Sequence, residues 1–219
     1  MTDVTLFAAG RLSEMSEAIV ARLLNRKHSL GQDFTATVAG LMADVRLRGD
    51  AALREMALRF DGATLENIEV PRELQDTALS EIDPQLRLAL ERAARNIRRF
   101  HEAQLPGDVR VEVEPGITIT RTSRALASAG VYAPGGTAAY PSTVLMGVIP
   151  ARAAGVENVI LCSPPEPSGL PPRAVLAAAS IAGVDRLFAI GGAGAVAAMV
   201  YGTDSVPTVD VIVGPGNRW

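Results

Sequence analysis

Cysteine occurs once, at Cys162, and histidine only at His28 and His101. A single thiol excludes an internal disulfide framework, and two imidazoles leave little for a histidine-rich zinc site. Aromatic residues make up 4% of the chain, so the stacking platforms that single-stranded nucleic acid needs are scarce. Basic charge is not in excess either. The formal net charge is −3, which gives no global pull toward nucleic acid or an anionic membrane. No apolar run is long enough to span a bilayer. Met1-Thr2-Asp3-Val4 lacks the basic start and apolar core of a signal peptide, which predicts a cytoplasmic address. What remains is 219 residues, 48% hydrophobic and 21% charged. That is the composition of a globular protein able to bury the core of one large or two modest domains.

The first half reads as helices. Apolar residues recur at helical spacing over Ser13–Leu24 (Met15, Ile19, Leu23, Leu24) and over Thr35–Arg46 (Val38, Leu41, Met42, Val45), with Gly49 as a stop. Asp50 is predicted to cap a helix from Ala51 to Phe60, ending before Asp61-Gly62. Over Pro84–Gln104, Asp83 suits the cap and Pro84 the first turn. Leu86, Leu90, Ala93, Ala94, Ile97 and His101 form one stripe of that helix. His101 on this apolar side reads as a packed histidine rather than a base. Arg87, Arg92, Arg95, Arg98 and Arg99 share one arc of the same helix, a solvated face in a chain without interleaved aromatics.

From Val109 the period changes. Val109–Val113 and Ile117–Thr120 alternate around Glu114-Pro115-Gly116, which predicts a hairpin. Four apolar runs then each break into a loop: Val131–Gly136, Val159–Pro165, Leu187–Gly192 and Val211–Asn217. Helical stretches near Ser142–Ala154, Arg173–Ala182 and Ala195–Tyr201 separate them, and Pro150 should kink or divide the first. This alternation predicts a parallel sheet covered on both faces, with ligands outside the carboxyl ends of its strands, where the loops cluster. Strands ending at Tyr132, Leu161, Ile190 and Val213 should therefore lie parallel, with Gly135 and Gly216 at one edge.

Candidate site residues follow from those loops. Gly192-Ala193-Gly194-Ala195-Val196-Ala197 fits the G-x-G-x-x-G/A dinucleotide pattern after a strand and before a helix. Its companion acid is missing, because Asp210 begins its strand instead of ending one. Phosphate contact and tight helix–sheet packing both stay open for these glycines. Gly214-Pro215-Gly216-Asn217 fixes a sharp turn after a buried strand, and Asn217 offers a donor and an acceptor at the ligand edge, or else caps a following helix. Tyr132 can stack on a ring or fill the core with its hydroxyl at the rim. Cys162 stands at a strand end with no histidine near it in sequence, which favours a structural thiol.

Longer ordered stretches carry a resemblance. Tyr132-Ala133-Pro134-Gly135-Gly136-Thr137-Ala138-Ala139-Tyr140-Pro141-Ser142-Thr143-Val144-Leu145-Met146 resembles the signature of the histidinol dehydrogenase family. So do Ile149–Val156, Cys162–Pro165, Gly191–Ala193, Tyr201–Pro207 and Val213–Asn217, and upstream Val45-Arg46, Gly49–Arg54 and Phe60-Asp61. The likeness runs from about Thr35 to Asn217.

The resemblance implies an α/β fold: a parallel-sheet, Rossmann-like (aldehyde-dehydrogenase-like) domain over 109–219, preceded by an N-terminal helical segment over 1–108. It implies oxidation of L-histidinol to L-histidine, the last steps of histidine biosynthesis, with NAD as acceptor and zinc holding the substrate, in an intertwined homodimer. Cofactor contacts would fall on Tyr132, Pro134, Gly135, Gly194, Pro215, Gly216 and Asn217. Family members usually carry glutamine where this chain has Gly194, a side-chain amide that glycine does not supply. Family proteins are about twice as long, and their zinc ligands and Glu–His acid/base pair would lie beyond Trp219. The expectation is therefore an N-terminal half with its Rossmann-like region cut short, holding no catalytic residue and no metal ligand, and inactive alone. The alternatives are a non-catalytic folded fragment or binding module, or a paralogous dehydrogenase for another amino- or hydroxy-alcohol.

Overall fold

The computed structural model describes residues 10–24, 32–136 and 138–216. Two compact units divide between Ala39 and Gly40. The first holds a 3-10 turn over Leu12–Glu14, helix α1 (Glu17–Leu24) and the opening of α2 (Gln32–Arg48). Ser13 and Glu14 thus belong to a tight turn, and the first predicted helix starts later than its apolar spacing suggests. His28 lies outside the described residues.

In the second unit α2 ends at Gly49, whose φ of 55° is a conformation open to glycine. Helix α3 (Asp50–Met56) follows and continues as one π-helical turn over Ala57–Asp61, closed by Gly62 in the left-handed region. Asp50 does not cap this helix, because Gly49 holds the cap position. Its buried carboxylate instead accepts from the Ser205 amide at 3.3 Å and the Ser205 hydroxyl at 2.5 Å. Burial alone would raise its pKa, yet hydrogen bonds from Ser205 and Thr203 outweigh it and hold the carboxyl below its ordinary range.

Strand β1 (Glu69–Val70) and helices α4 (Arg72–Glu81) and α5 (Pro84–Glu102) come next. Asp83 caps α5 as its sequence predicts, accepting from the amides of Gln85 and Leu86. Arg92, Arg95, Arg98 and Arg99 are exposed on its outer face. Strands β2 (Val109–Glu114) and β3 (Ile117–Arg121) form an antiparallel hairpin with a register shift between Glu112 and Glu114. Both of its faces are exposed.

The remaining chain alternates: β4 (Ser128–Tyr132), α6 (Pro141–Ala153), β5 (Asn158–Cys162), α7 (Arg173–Ala182), β6 (Arg186–Phe188), α8 (Gly192–Tyr201) and β7 (Val211–Val213). Pro150 does not divide α6, which stays one helix through it. The sheet order is β1-β6-β5-β4-β7, parallel throughout except for β1, which pairs antiparallel with β6 at one edge. Register aligns Tyr132 with Cys162, Cys162 with Phe188, and Val131 with Val213.

Helices cover both faces. A Cβ at Gly147 of α6 would meet Val131 Cγ1 at 2.5 Å, and one at Gly130 of β4 would collide with Met199 of α8. Successive strand residues point to opposite faces, so α6 and α8 flank β4 from opposite sides. Val131, Leu161 and Leu187 on one face are fully buried, as is Phe188 on the other. Each such side chain contributes roughly 1.5–3 kcal/mol by leaving water.

The amino-terminal edge of the sheet is laced with polar bonds. Arg152, at the end of α6, donates to the carbonyls of Val156, Glu157 and Gly183 and pairs with Asp185 at 2.6 Å. Asp185 in turn accepts from the Val159 amide at 2.6 Å, while Asp210 accepts from the amide and hydroxyl of Ser128.

Candidate functional site

Parallel pairing sends the carboxyl ends of β4, β5, β6 and β7 to one edge, and the glycines and prolines that follow them pack together there. Pro164, just after β5, is the wedge. A Cβ at Gly135 would lie 2.6 Å from its Cγ, and a Cβ at Gly191 would lie 2.6 Å from its Cβ. The loops after β4 and β6 therefore close on the same proline from two sides. Gly214, with a φ of 152°, brings the loop after β7 against the Tyr132 carbonyl, where any Cβ would collide. The expected clustering of these loops is present, with Pro134 and Gly135 part-buried and Gly214, Pro215 and Gly216 exposed. Asn217 lies outside the described residues.

Tyr132 is the polar centre of this edge. It points to the α8 face, and its half-buried hydroxyl accepts the Gly192 amide at 3.0 Å. The tyrosine thereby caps the first turn of α8, a role that neither stacking nor simple core filling describes. Its O–H proton remains free to donate. Burial raises the phenol's pKa, against the pull of the Gly192 amide, and the charge of Asp61 raises it further. The next amides of α8, Ala193 and Gly194, have no partner within the helix, as at any helix start.

Gly194 lies within that first turn instead of in the loop, and it is buried. A Cβ there would meet Met56 Sδ at 3.0 Å and Leu53 Cδ2 at 3.4 Å, both on α3. The missing side chain lets two helices approach, so the packing partner is a helix and not the sheet. Cys162, in register with Tyr132, is fully buried, and burial pushes its thiol far up. A protonated, enclosed thiol is no nucleophile.

Asp61 is the residue that sequence reasoning did not single out. It ends the π-helical turn after α3, part-buried, and its charge acts on the Tyr132 phenol. Among the described residues it has no hydrogen-bond or ion-pair partner, and burial pushes its carboxyl up to about 6. In sequence, Phe60-Asp61 belongs to the family resemblance and Asp61-Gly62 reads as a helix stop, and neither reading gives Asp61 a role. The available signal was an acid at a π-bulge, a feature enriched at functional sites.

A cavity of about 910 Å³ lies elsewhere, between α6 and β7. Leu126, Met146, Pro150, Val211 and Val213 line it, and it reaches the loop edge only at Gly214 and Pro215. Its walls are mostly apolar, with Ser123, Arg124 and Thr143 as the polar side chains among them. His101 sits part-buried against the edge of the Phe100 ring, with centroids 5.4 Å apart. Among the described residues no three His, Cys, Asp or Glu side chains converge as a metal would require. No helix among them is long and apolar enough to cross a membrane.

The strand-end loops thus gather at one edge beside the start of α8, and comparison with known proteins agrees with the sequence resemblance. The histidinol dehydrogenase family profile matches residues 24–219. The histidinol dehydrogenase of Methanosarcina barkeri is 51% identical over 208 residues, 94% of this chain and 48% of the relative. That of Rhodospirillum rubrum is 46% identical over 201 residues, 91% of this chain and 46% of the relative. The crystal structure of histidinol dehydrogenase from Elizabethkingia anophelis superposes with a TM-score of 0.85 at 33% identity, covering 94% of this chain and 47% of that one. The chain spans about half the length of the curated relatives it matches.

Proposed function

Because the chain belongs to the histidinol dehydrogenase family, we propose that its part in the enzyme is to bind NAD during oxidation of L-histidinol to L-histidine. The Rossmann-like region is 109–219, following the helical segment 1–108, and the complete protein is a cytoplasmic homodimer. One observation carries the cofactor reading: the loops after β4 and β6 close on Pro164 of the β5 loop, the β7 loop packs on Tyr132, and the Tyr132 hydroxyl accepts the first amide of α8. Amides at a helix start favour an anion such as a pyrophosphate.

Pro134, Gly135, Pro215 and Gly216 would shape the backbone against the dinucleotide, Tyr132 would donate its hydroxyl proton, and Asn217 would hydrogen-bond from the last loop. At Gly194 the contact would come from its backbone amide in place of the side chain usual in the family. NAD supplies the hydride acceptor of the reaction, and these residues hold and orient it. The described residues do not fit zinc, so no step through the metal is assigned to them. With no ligand set and no acid/base pair among them, the 219-residue chain alone is expected not to form NADH from L-histidinol, even with zinc supplied.

The test is calorimetric titration of NAD. Asn217→Ala should raise Kd several-fold, since one hydrogen bond to a neutral partner is worth roughly 0.5–1.5 kcal/mol. Unchanged affinity there and in Tyr132→Phe would mean that the loops are structural and the cofactor lies elsewhere.

A further inference from the structure

Every residue of the β2–β3 hairpin is exposed, yet its alternation sorts them into two unlike faces. Residues opposite one another across the ladder share a face. Val111 lies opposite Ile119, while Arg110 lies opposite Thr120 and Glu112 opposite Thr118. One face is therefore apolar in its middle, with Val109 and Arg121 continuing it at the root, and the other is polar throughout. Such sorting belongs to a sheet that has a buried side, but Val111 and Ile119 are 50% and 62% exposed. A lone two-stranded hairpin is marginal in water, and further strands are what stabilise it. The outer edge of β2 is open to one, because its ladder runs to β3 alone.

The charges along β2 select the strand that fits there. Two copies of β2 can meet antiparallel in several registers. Centring the pair on Arg110 or on Glu112 sets like charges face to face, which is destabilising. A register shifted by one residue opposes the polar face of one copy to the apolar face of the other. Centring on Val111 avoids both. Arg110 of each copy then lies opposite Glu112 of the other, and Val111 meets Val111 at the axis. Arg110 is free for this, having no hydrogen bond or ion pair among the described residues. Glu112 gives one carboxylate oxygen to the Gly116 amide at 2.9 Å and keeps the second. The bulge between Glu112 and Glu114 lies beyond this stretch, toward the turn. Strand β3 carries no such code, since Arg121 is its one charged residue. We infer that β2 is an assembly strand: two copies of this chain pair through it about an axis at Val111, joining their hairpins into one four-stranded sheet. This gives the homodimer proposed above a contact surface, and it does not depend on the cofactor reading.

Sedimentation equilibrium on the 219-residue chain tests this. The original chain should dimerise reversibly. Arg110→Glu sets an acid against Glu112 of the other copy, and Glu112→Arg sets a base against its Arg110. The axis counts each change twice, so either variant should dimerise about tenfold more weakly. An equimolar mixture of the two variants puts acids opposite bases again and should restore a mixed dimer, which also shows that both variants fold. A covalent readout is independent of charge. Val111→Cys meets itself across the axis at a spacing that a disulfide can close, and the native Cys162 is buried. Mild oxidation should therefore link Val111→Cys chains in pairs and leave Ile119→Cys, one strand further from the axis, unlinked. An original chain that stays monomeric overturns the proposal. A dimer that neither charge variant weakens overturns this surface while the homodimer stands. Weakened variants that mixing does not restore show that the register, and the proposal with it, is wrong.

Discussion

The two edges of the central sheet are built on opposite terms. At the amino edge every strand start is tied by side chains: Arg152 reaches three carbonyls and Asp185, Asp185 holds the start of β5, and Asp210 holds Ser128. At the carboxyl edge the loops are shaped by glycine and proline, Tyr132 makes the single bond to α8, and Asp61 is left unpaired. Both edges sit on the same buried strands. The difference lies in what finishes each edge: one is tied off by its own side chains, and the other keeps unused hydrogen-bonding capacity, which suits the proposed cofactor site. Neither half of this contrast shows in composition, because it depends on which end of a strand each polar residue occupies.

Substitutions at the two edges should accordingly differ in size and in sign. The largest loss is expected from Arg152→Ala, which strips several charge-assisted bonds from a mostly buried guanidinium. Denaturant titration should report about 3 kcal/mol, and a change below about 1 kcal/mol would mean that the amino edge is not held this way. Next comes Gly194→Gln, which forces a side chain against Met56 and Leu53. A loss of about 1–3 kcal/mol is expected for such overpacking, and an undiminished melting temperature would show that α3 yields.

Asp61→Asn should act in the opposite direction. The folded carboxyl titrates near 6, above its ordinary value of about 3.9, so the folded state binds the proton more readily between those values. Stability of the original chain should therefore rise as pH falls from about 6 toward about 4 and stay flat above that window. At neutral pH the amide should stabilise the fold by about 1–2 kcal/mol, once solvent screening of a partly exposed group is discounted. A variant no more stable than the original, or one that keeps the pH slope, removes Asp61 as its source. The smallest effect belongs to Tyr132→Phe. It leaves one helix-start amide unpaired beside solvent, at a cost of about 0.5–1.5 kcal/mol in thermal or chemical unfolding.

Much of this was legible in the sequence, for a simple reason. The strand–loop–helix rhythm from Val131 onward is written in local period and in glycine and proline, so strand direction, the common loop edge and the double covering of the sheet follow from it. The Asp83 cap is equally local. What escaped was long-range or irregular. Strand β1 is two residues long and has no period to display. Helix α4 buries Gln75 where an apolar residue would mark its inner face, which blurs the stripe. Asp50 looks like a cap by spacing, but its carboxylate is claimed by Ser205, far along the chain. Gly194 could be read as a phosphate-loop glycine or a packing glycine, and only the approach of α3 shows what its missing Cβ admits. The charge of Asp61 acts on the Tyr132 phenol across the fold, and no spacing rule connects the two.

Pro164 has a consequence for timing. Because its ring is gripped by Gly135 on one side and Gly191 on the other, the loops after β4, β5 and β6 are not three independent segments. A displacement of one must push the next, so they sample few shapes before any ligand arrives. The entropy of ordering them is lost when the chain folds and not when it binds. Association at this edge should then be a single concentration-dependent phase in stopped-flow, with no slower isomerisation behind it. Pro164→Ala, by loosening the grip, should introduce that second phase while leaving the chemistry of the edge untouched.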